Sequence, residues 1–194
     1  ESSKADIIFT SPFGVVLPHG LGKSLPIKII PPRGPRRVLW VVEVTIWACF
    51  TGFSNSPAAI KYGADHGAVI SQNSWGYDFD KNKDGTLTGE ELELALSTKI
   101  YPADKAAVDY FIKYAGCDND GNQLPDSPMK GGVVIFAAGN DNISNGAPAE
   151  YEEVIAVGSI ASDGTKSSFS NYGDWVDLAA PGTAILSTVT GGSY

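Results

Sequence analysis

The dozen residues Gly131-Gly-Val-Val-Ile-Phe-Ala-Ala-Gly-Asn-Asp-Asn142 decide the fold. Residues 133–136 are β-branched or aromatic and run through Ala137 and Ala138 into Gly139 and Asn140. An apolar run of this length without polar alternation predicts a strand buried on both faces, as in a parallel sheet flanked by helices. In open parallel sheets chemistry gathers at the carboxyl ends of the strands, so Asn140 stands where a functional side chain would stand. Gly139 and Asn140 also suit a plain turn, because Asn tolerates left-handed backbone and Gly has no side chain to clash. The stretch by itself leaves both readings open.

Upstream, residues 68–73 read as a short strand that ends in Ser74-Trp75-Gly76, again small and polar residues at a strand terminus. A helix is predicted over residues 56–66, with Ser56 as N-cap, Pro57 at the first helical position and Gly67 as the stop. His66 at its end reads as structural, since a cation there suits the helix dipole. Residues 103–115 form an amphipathic pattern with Ala107, Tyr110, Phe111 and Tyr114 on one side. Downstream, strands are predicted at 154–157, 166–171 and 175–179, separated by turns. Helices and strands in alternation point to an α/β domain with a mostly parallel sheet.

With 194 residues, 43% of them hydrophobic, the chain can fill one core. A net charge of −8 argues against nucleic acid as a partner, which requires a basic face. No apolar run is long enough to span a bilayer as a helix. Cys49 and Cys117 are compatible with one disulfide or with two thiols. Nothing in the sequence indicates an oligomeric state.

Residues 80–91, Asp-Lys-Asn-Lys-Asp-Gly-Thr-Leu-Thr-Gly-Glu-Glu, match the calcium loop of an EF-hand. Oxygen ligands fall at Asp80, Asn82, Asp84, Thr88 and Glu91, with the carbonyl of Thr86 between them and Gly85 at the sharp turn. A helix follows from Glu90, whereas the usual incoming helix is missing. An acidic surface turn is the competing reading. A second loop, Asp118-Asn-Asp-Gly121, reads as a solvated turn.

The first twenty residues hold strand-like pieces at 7–10 and 15–17, then Pro18-His19-Gly20. His19 is either a catalytic base at a strand-to-helix junction or an ordinary loop histidine. Between Leu21 and Val42 there are five basic residues, no acidic one and four prolines, in a chain that is otherwise acidic. Proline at that density excludes a regular helix. Residues 38–50 then read as a long apolar strand.

Three ordered motifs carry a resemblance: Ala-Val-Ile-Ser-Gln-Asn-Ser-Trp-Gly at 68–76, Val-Val-Ile-Phe-Ala-Ala-Gly-Asn at 133–140, and Val-Ile-Ala-Val-Gly-Ser-Ile at 154–160. The last continues through Phe-Ser-Asn-Tyr-Gly at 169–173 to Leu-Ala-Ala-Pro-Gly at 178–182. Together they resemble the subtilisin-like serine peptidases, or subtilases. The resemblance implies a three-layer αβα fold with a mostly parallel central sheet, here incomplete, and peptide-bond hydrolysis by a Ser/His/Asp triad. It makes Asn140 the side-chain donor to the oxyanion. It makes Ser74, Trp75 and Gly76 one wall of the primary specificity pocket, and Ala137, Ala138 and Gly139 the other, with backbone exposed for a polypeptide substrate to pair along.

By the same resemblance Pro148 follows a cis peptide bond, and His19 is the catalytic base. The orienting Asp and the nucleophilic Ser are expected before Glu1 and after Tyr194, which makes the whole chain one partial peptidase domain, inactive alone. Residues 77–130 are then an insertion carrying the calcium loop. A secreted, cell-surface or periplasmic location is implied. The alternative is a calcium- or peptide-binding module without catalysis. An α/β-hydrolase is disfavoured, since no Gly-x-Ser-x-Gly elbow occurs.

The basic segment interrupts the resemblance, which fades after Gly20 and resumes at Phe50. Translation of residues 21–49 out of frame explains this: a shifted frame puts glycine codons at Trp40-Val41 and Trp47-Ala48, where the family has a Gly-rich stretch. Resequencing of the locus tests that expectation, and an uninterrupted frame encoding the present residues would refute it.

Overall fold

The computed structural model describes residues 56–186 and, ahead of them, the backbone of residues 41–42. His19, the strand-like pieces before it and the rest of segment 21–49 lie outside the described residues, as does Cys49. In chain order the elements are β1 (Val41–Val42), α1 (Ser56–Asp65), β2 (Ile70–Asn73), α2 (Glu90–Ser97), α3 (Pro102–Tyr114), β3 (Val133–Ala137), β4 (Ile155–Ile160) and β5 (Leu178–Pro181). The strands lie side by side in that same order and every neighbouring pair is parallel. Parallel neighbours need crossover connections, which α1 supplies before β2, and α2 with α3 between β2 and β3.

The core sits between β3, β4 and the helices α1 and α3. Ile60 and Ala64 from α1, Ala107, Val108 and Phe111 from α3, Val134 and Phe136 from β3 and Ala156 from β4 form one buried cluster. Polar contacts fasten the two helices. Ser56 Oγ donates to Asp104 Oδ1 at 2.6 Å, and the Tyr110 hydroxyl donates to Asp65 Oδ1 at 2.7 Å. The hydroxyl expected to cap α1 is thus spent on α3. His66 is structural: Nδ1 donates to the Tyr62 carbonyl at 2.8 Å and the ring stacks on Tyr62.

Several expectations shift. β3 is not sealed on both faces: Val134 and Phe136 are buried against α1 and α3, whereas Val133, Ile135 and Ala137 are half-buried. On α3 the buried face runs through Ala107, Val108 and Phe111, while Tyr114 is exposed and Tyr110 partly so, because the tyrosine hydroxyls keep those rings at the helix edge. Residues 166–171 make one isolated bridge, Ile160 with Lys166, and then turn. The Ser170 hydroxyl donates to the Asn171 carbonyl (3.0 Å) and accepts from the Ser159 amide (2.9 Å), which favours a turn there over a ladder, and the Ser159 and Ser167 hydroxyls pair at 2.6 Å. The final strand starts later than predicted, at Leu178.

Candidate active site

β2 and β3 end level because their register pairs Asn73 with Phe136. Residues 74–76 and 137–139 therefore emerge side by side at the carboxyl edge of the sheet, the edge where parallel sheets place ligands. A cavity of about 40 Å³ opens there, lined by Trp75, Gly76, Ala137, Ala138 and Gly139. Ser74 is not among its lining residues; its Oγ accepts from Gln72 Nε2 at 3.3 Å on the surface. The remaining wall includes Tyr77, Phe79 and Ala95 from the segment after β2, and Asn145, Gly146 and Ala147 from the loop after β3.

Two aromatic side chains in this wall are held by buried polar groups. Trp75 meets Phe136 edge to face at 5.2 Å and donates its indole N–H to Asn73 Oδ1 at 3.1 Å. Asn73 is fully buried and gives its own amide hydrogens to Ser71 Oγ (3.0 Å) and the Ile135 carbonyl (3.3 Å). An amide with partners at both ends costs little to bury and fixes the indole plane. Tyr77 stacks on Tyr101 at 4.0 Å, donates to Asp104 Oδ2 at 2.8 Å and accepts from the Tyr101 amide at 2.8 Å. Burial first, and the Asp104 carboxylate second, raise the phenol well above its ordinary value against the opposing Tyr101 amide. Tyr77 therefore remains a protonated donor at neutral pH.

Asn140 follows directly on this wall. Its Oδ1 is buried and has no hydrogen-bond partner among the described residues. Among the described residues no acceptor takes its amide hydrogens either. A buried unpaired amide oxygen costs about 1–3 kcal/mol, and such groups are retained where function needs them. A donor left unengaged is what stabilisation of a charge that appears only during reaction requires.

The loop that presents Asn140 is bracketed by residues 169–175. Asn171 Oδ1 accepts from the amides of Asp141 (2.9 Å) and Ile143 (3.3 Å), and the Asn171 amide donates to the Gly139 carbonyl (3.0 Å). The Asn142 amide donates to the Phe169 carbonyl at 2.8 Å, and the Trp175 indole to the Ser144 carbonyl at 3.1 Å. Gly139 has φ 107°, and a Cβ there would collide with the Asn171 amide. Asn171→Ala leaves two amides without their acceptor, at about 1–3 kcal/mol for each group that stays buried. In the full-length protein it is expected to lower Tm by several degrees. Asn171→Asp, which keeps the acceptor oxygen, should recover most of the lost Tm; equal loss in both variants would contradict the bracket.

The Ala147-Pro148 peptide bond beside the cavity is cis. The strand register, the cavity between two strand ends, the unengaged amide and this turn meet at one place. Residues 39–194 match the model of the subtilase family. The chain belongs to the subtilase family. It is 42% identical over 120 residues to a thermophilic serine proteinase of Bacillus sp. (strain AK1), covering 59% of this chain and 28% of that protein. It is 50% identical over 66 residues to thermitase of Thermoactinomyces vulgaris, covering 34% and 24%. The extracellular protease of Xanthomonas campestris pv. campestris is 43% identical over 74 residues, covering 37% and 13%. Among solved structures, a psychrophilic subtilisin-like protease from the Antarctic psychrotroph Pseudoalteromonas sp. AS-11 is 27% identical with a TM-score of 0.46, covering 71% of this chain and 24% of that one. The chain spans less than a third of the length of each of these relatives.

In this subtilase the family match opens at residue 39, ahead of Phe50 and inside the basic segment, and so includes β1. His19 lies before the match and outside the described residues. The loop at 80–91 is described in full. Asp80 Oδ1 and Oδ2 accept from the amides of Asp84 (3.2 Å) and Gly85 (2.9 Å), and Gly85 turns with φ 84°. Asn82 Oδ1 accepts from the Asp84 amide at 2.9 Å, and Asp84 Oδ1 from the Thr86 hydroxyl at 2.6 Å. Glu91 Oε1 accepts from the amides of Lys81 (3.0 Å) and Asn82 (3.4 Å). Among the described residues no three His, Cys, Asp or Glu side chains are gathered into a metal cluster. Thr88 accepts the Glu91 amide on its carbonyl at 3.1 Å, which starts α2.

Sequence reasoning passed over Asn73, Asn145 and Asn171. Asn73 had a legible signal, a lone amide closing an apolar strand. Asn171 lay inside a quoted motif without a role, and Asn145 carried no signal at all.

Proposed function

We propose that this chain supplies the oxyanion donor and the primary specificity pocket of a serine endopeptidase. The observation that carries the proposal is Asn140: an unengaged amide at the carboxyl end of β3, directly after the cavity wall. During attack on a peptide carbonyl by a serine hydroxyl, negative charge moves onto the carbonyl oxygen, and Asn140 Nδ2 donates to it. The serine proton passes to a histidine, for which His19 is the candidate, and from there to the departing amine as the C–N bond breaks. Trp75, Gly76 and residues 137–139 hold the side chain before the scissile bond, with the backbone of both segments available to an extended substrate. Relatives named extracellular proteases support secretion or a cell-surface location.

The direct test is incubation of the full-length protein with an internally quenched peptide, with products identified by mass spectrometry. Cleavage at internal bonds is expected. Binding without cleavage by the folded protein would favour the non-catalytic peptide-binding module instead.

The loop at 80–91 is proposed to bind calcium through side-chain oxygens of Asp80, Asn82, Asp84, Thr88 and Glu91 and the carbonyl of Thr86. What supports the reading is Glu91. It is 9% exposed, its Oε1 accepts from loop amides, and its buried Oε2 has no partner among the described residues. A buried carboxylate oxygen is costly unless a cation or donor meets it, and hard oxygen donors in this order suit calcium. The bound cation would tie the loop's two ends together. Calcium at about a hundredfold its Kd should stabilise the protein by about 2.7 kcal/mol, a rise of several degrees in Tm. Glu91→Gln should abolish the rise; its absence in the unmodified protein at millimolar calcium would reject the site.

A further inference from the structure

The two ends of the calcium loop are both joined to the pocket wall. Phe79, buried in that wall, is followed at once by Asp80, the first ligand of the loop. Glu91, the last ligand, lies in the first turn of α2, and Ala95, one turn further along the same face, is again in the wall and almost fully buried. The far end of α2 is clasped by the loop after β3, which lines the same cavity. Asn145 Nδ2 donates to the carbonyls of Ala95 (2.5 Å) and Thr98 (3.0 Å), and Asn145 Oδ1 accepts from the Gly146 amide at 2.8 Å. Asn145 is itself buried, and Asn145, Gly146 and Ala147 all line the cavity.

We infer that cation occupancy of residues 80–91 sets the shape of the specificity pocket, because Asp80 and Glu91 are covalently continuous with Phe79 and Ala95 and α2 is fastened to Asn145 and Gly146. The inference rests on the calcium reading of the loop. Its second support is the buried Oε2 of Glu91, which has no partner among the described residues and belongs to the carboxylate whose Oε1 the loop amides already hold. With the cation present, the distance between loop ends is fixed and Phe79 and Ala95 keep one spacing. Without it, Glu91 retains only two amide contacts, one of them at 3.4 Å, and the wall between Phe79 and Ala95 is free to open. Calcium then acts on which side chain the pocket admits, in addition to stability.

The test is amide hydrogen exchange on the full-length protein with calcium or with chelator, paired with calcium titration calorimetry. Calcium binding with at least about tenfold slower exchange at residues 92–98 and 145–147 is the expected result, since local opening governs exchange. Binding with protection confined to residues 80–91 would overturn the coupling while leaving the loop a calcium site. No binding would overturn both. Glu91→Gln and, independently, Asp80→Asn should each remove the protection at 145–147, and Asp80→Asn covers the case in which the buried substitution fails to fold. Protection that persists in a folded variant unable to bind calcium would also refute the coupling.

Discussion

Replacing Asn140 by alanine in the full-length protein is expected to lower kcat by about 10²- to 10³-fold while KM changes little. The split follows from where the amide is used. No ground-state partner among the described residues engages it, and a peptide carbonyl in the bound substrate carries little charge for it to stabilise. Its value appears when the carbonyl oxygen becomes an anion, so the loss falls on the chemical step. Stability should move the other way or not at all. Alanine removes a buried oxygen that has no hydrogen bond among the described residues, and removing an unsatisfied group relieves its desolvation cost of about 1–3 kcal/mol. Steady-state kinetics beside a thermal melt separate the two effects. A variant with reduced kcat and a much lower Tm would mean that Asn140 holds the loop rather than the oxyanion.

The largest effect on stability is expected from Phe136→Ala, at about 3–5 kcal/mol. Phe136 is fully buried in the cluster that joins β3 to α1 and α3, and its ring is also the surface against which Trp75 stands at 5.2 Å. Truncation leaves a cavity in the core and takes away one of the contacts that orient Trp75, beside those to Asn73 and Tyr77. The urea midpoint should fall steeply, and surviving folded protein should bind peptide substrates less tightly. Phe136→Leu keeps most of the volume and should cost less than about 2 kcal/mol. Similar losses for both substitutions would contradict the cavity account.

The apolar run at 133–136 was enough to reveal a parallel strand, because β-branched and aromatic residues without alternation have few other uses. It did not reveal that one face of β3 is only half-buried, since burial depends on which helices lie over each face. Helices α1, α2 and α3 fell close to their predicted places, with proline, glycine and acidic residues at the ends where the helix dipole and backbone geometry want them. Residues 166–171 looked like a strand but turn, because serine hydroxyls offer the backbone local partners that periodicity does not register. At the site, Trp75, Gly76, Ala137, Ala138 and Gly139 were legible as cavity residues through motif resemblance. Tyr77, Phe79, Ala95 and Asn145 were not, since they reach the cavity from two segments, after β2 and after β3, whose paths the sequence alone does not fix. The bracket formed by Asn171 was likewise invisible, being a contact across thirty positions.

The central claim is that Asn140 and the neighbouring cavity serve a nucleophilic serine in the full-length protein. Labelling of that protein with a fluorophosphonate probe tests it most directly. The account predicts stoichiometric modification of a single serine, slowed in the Asn140→Ala variant by about a hundredfold because the probe's phosphoryl oxygen needs the same donor. A folded protein that takes up no label, or whose labelling rate is indifferent to Asn140, would contradict it.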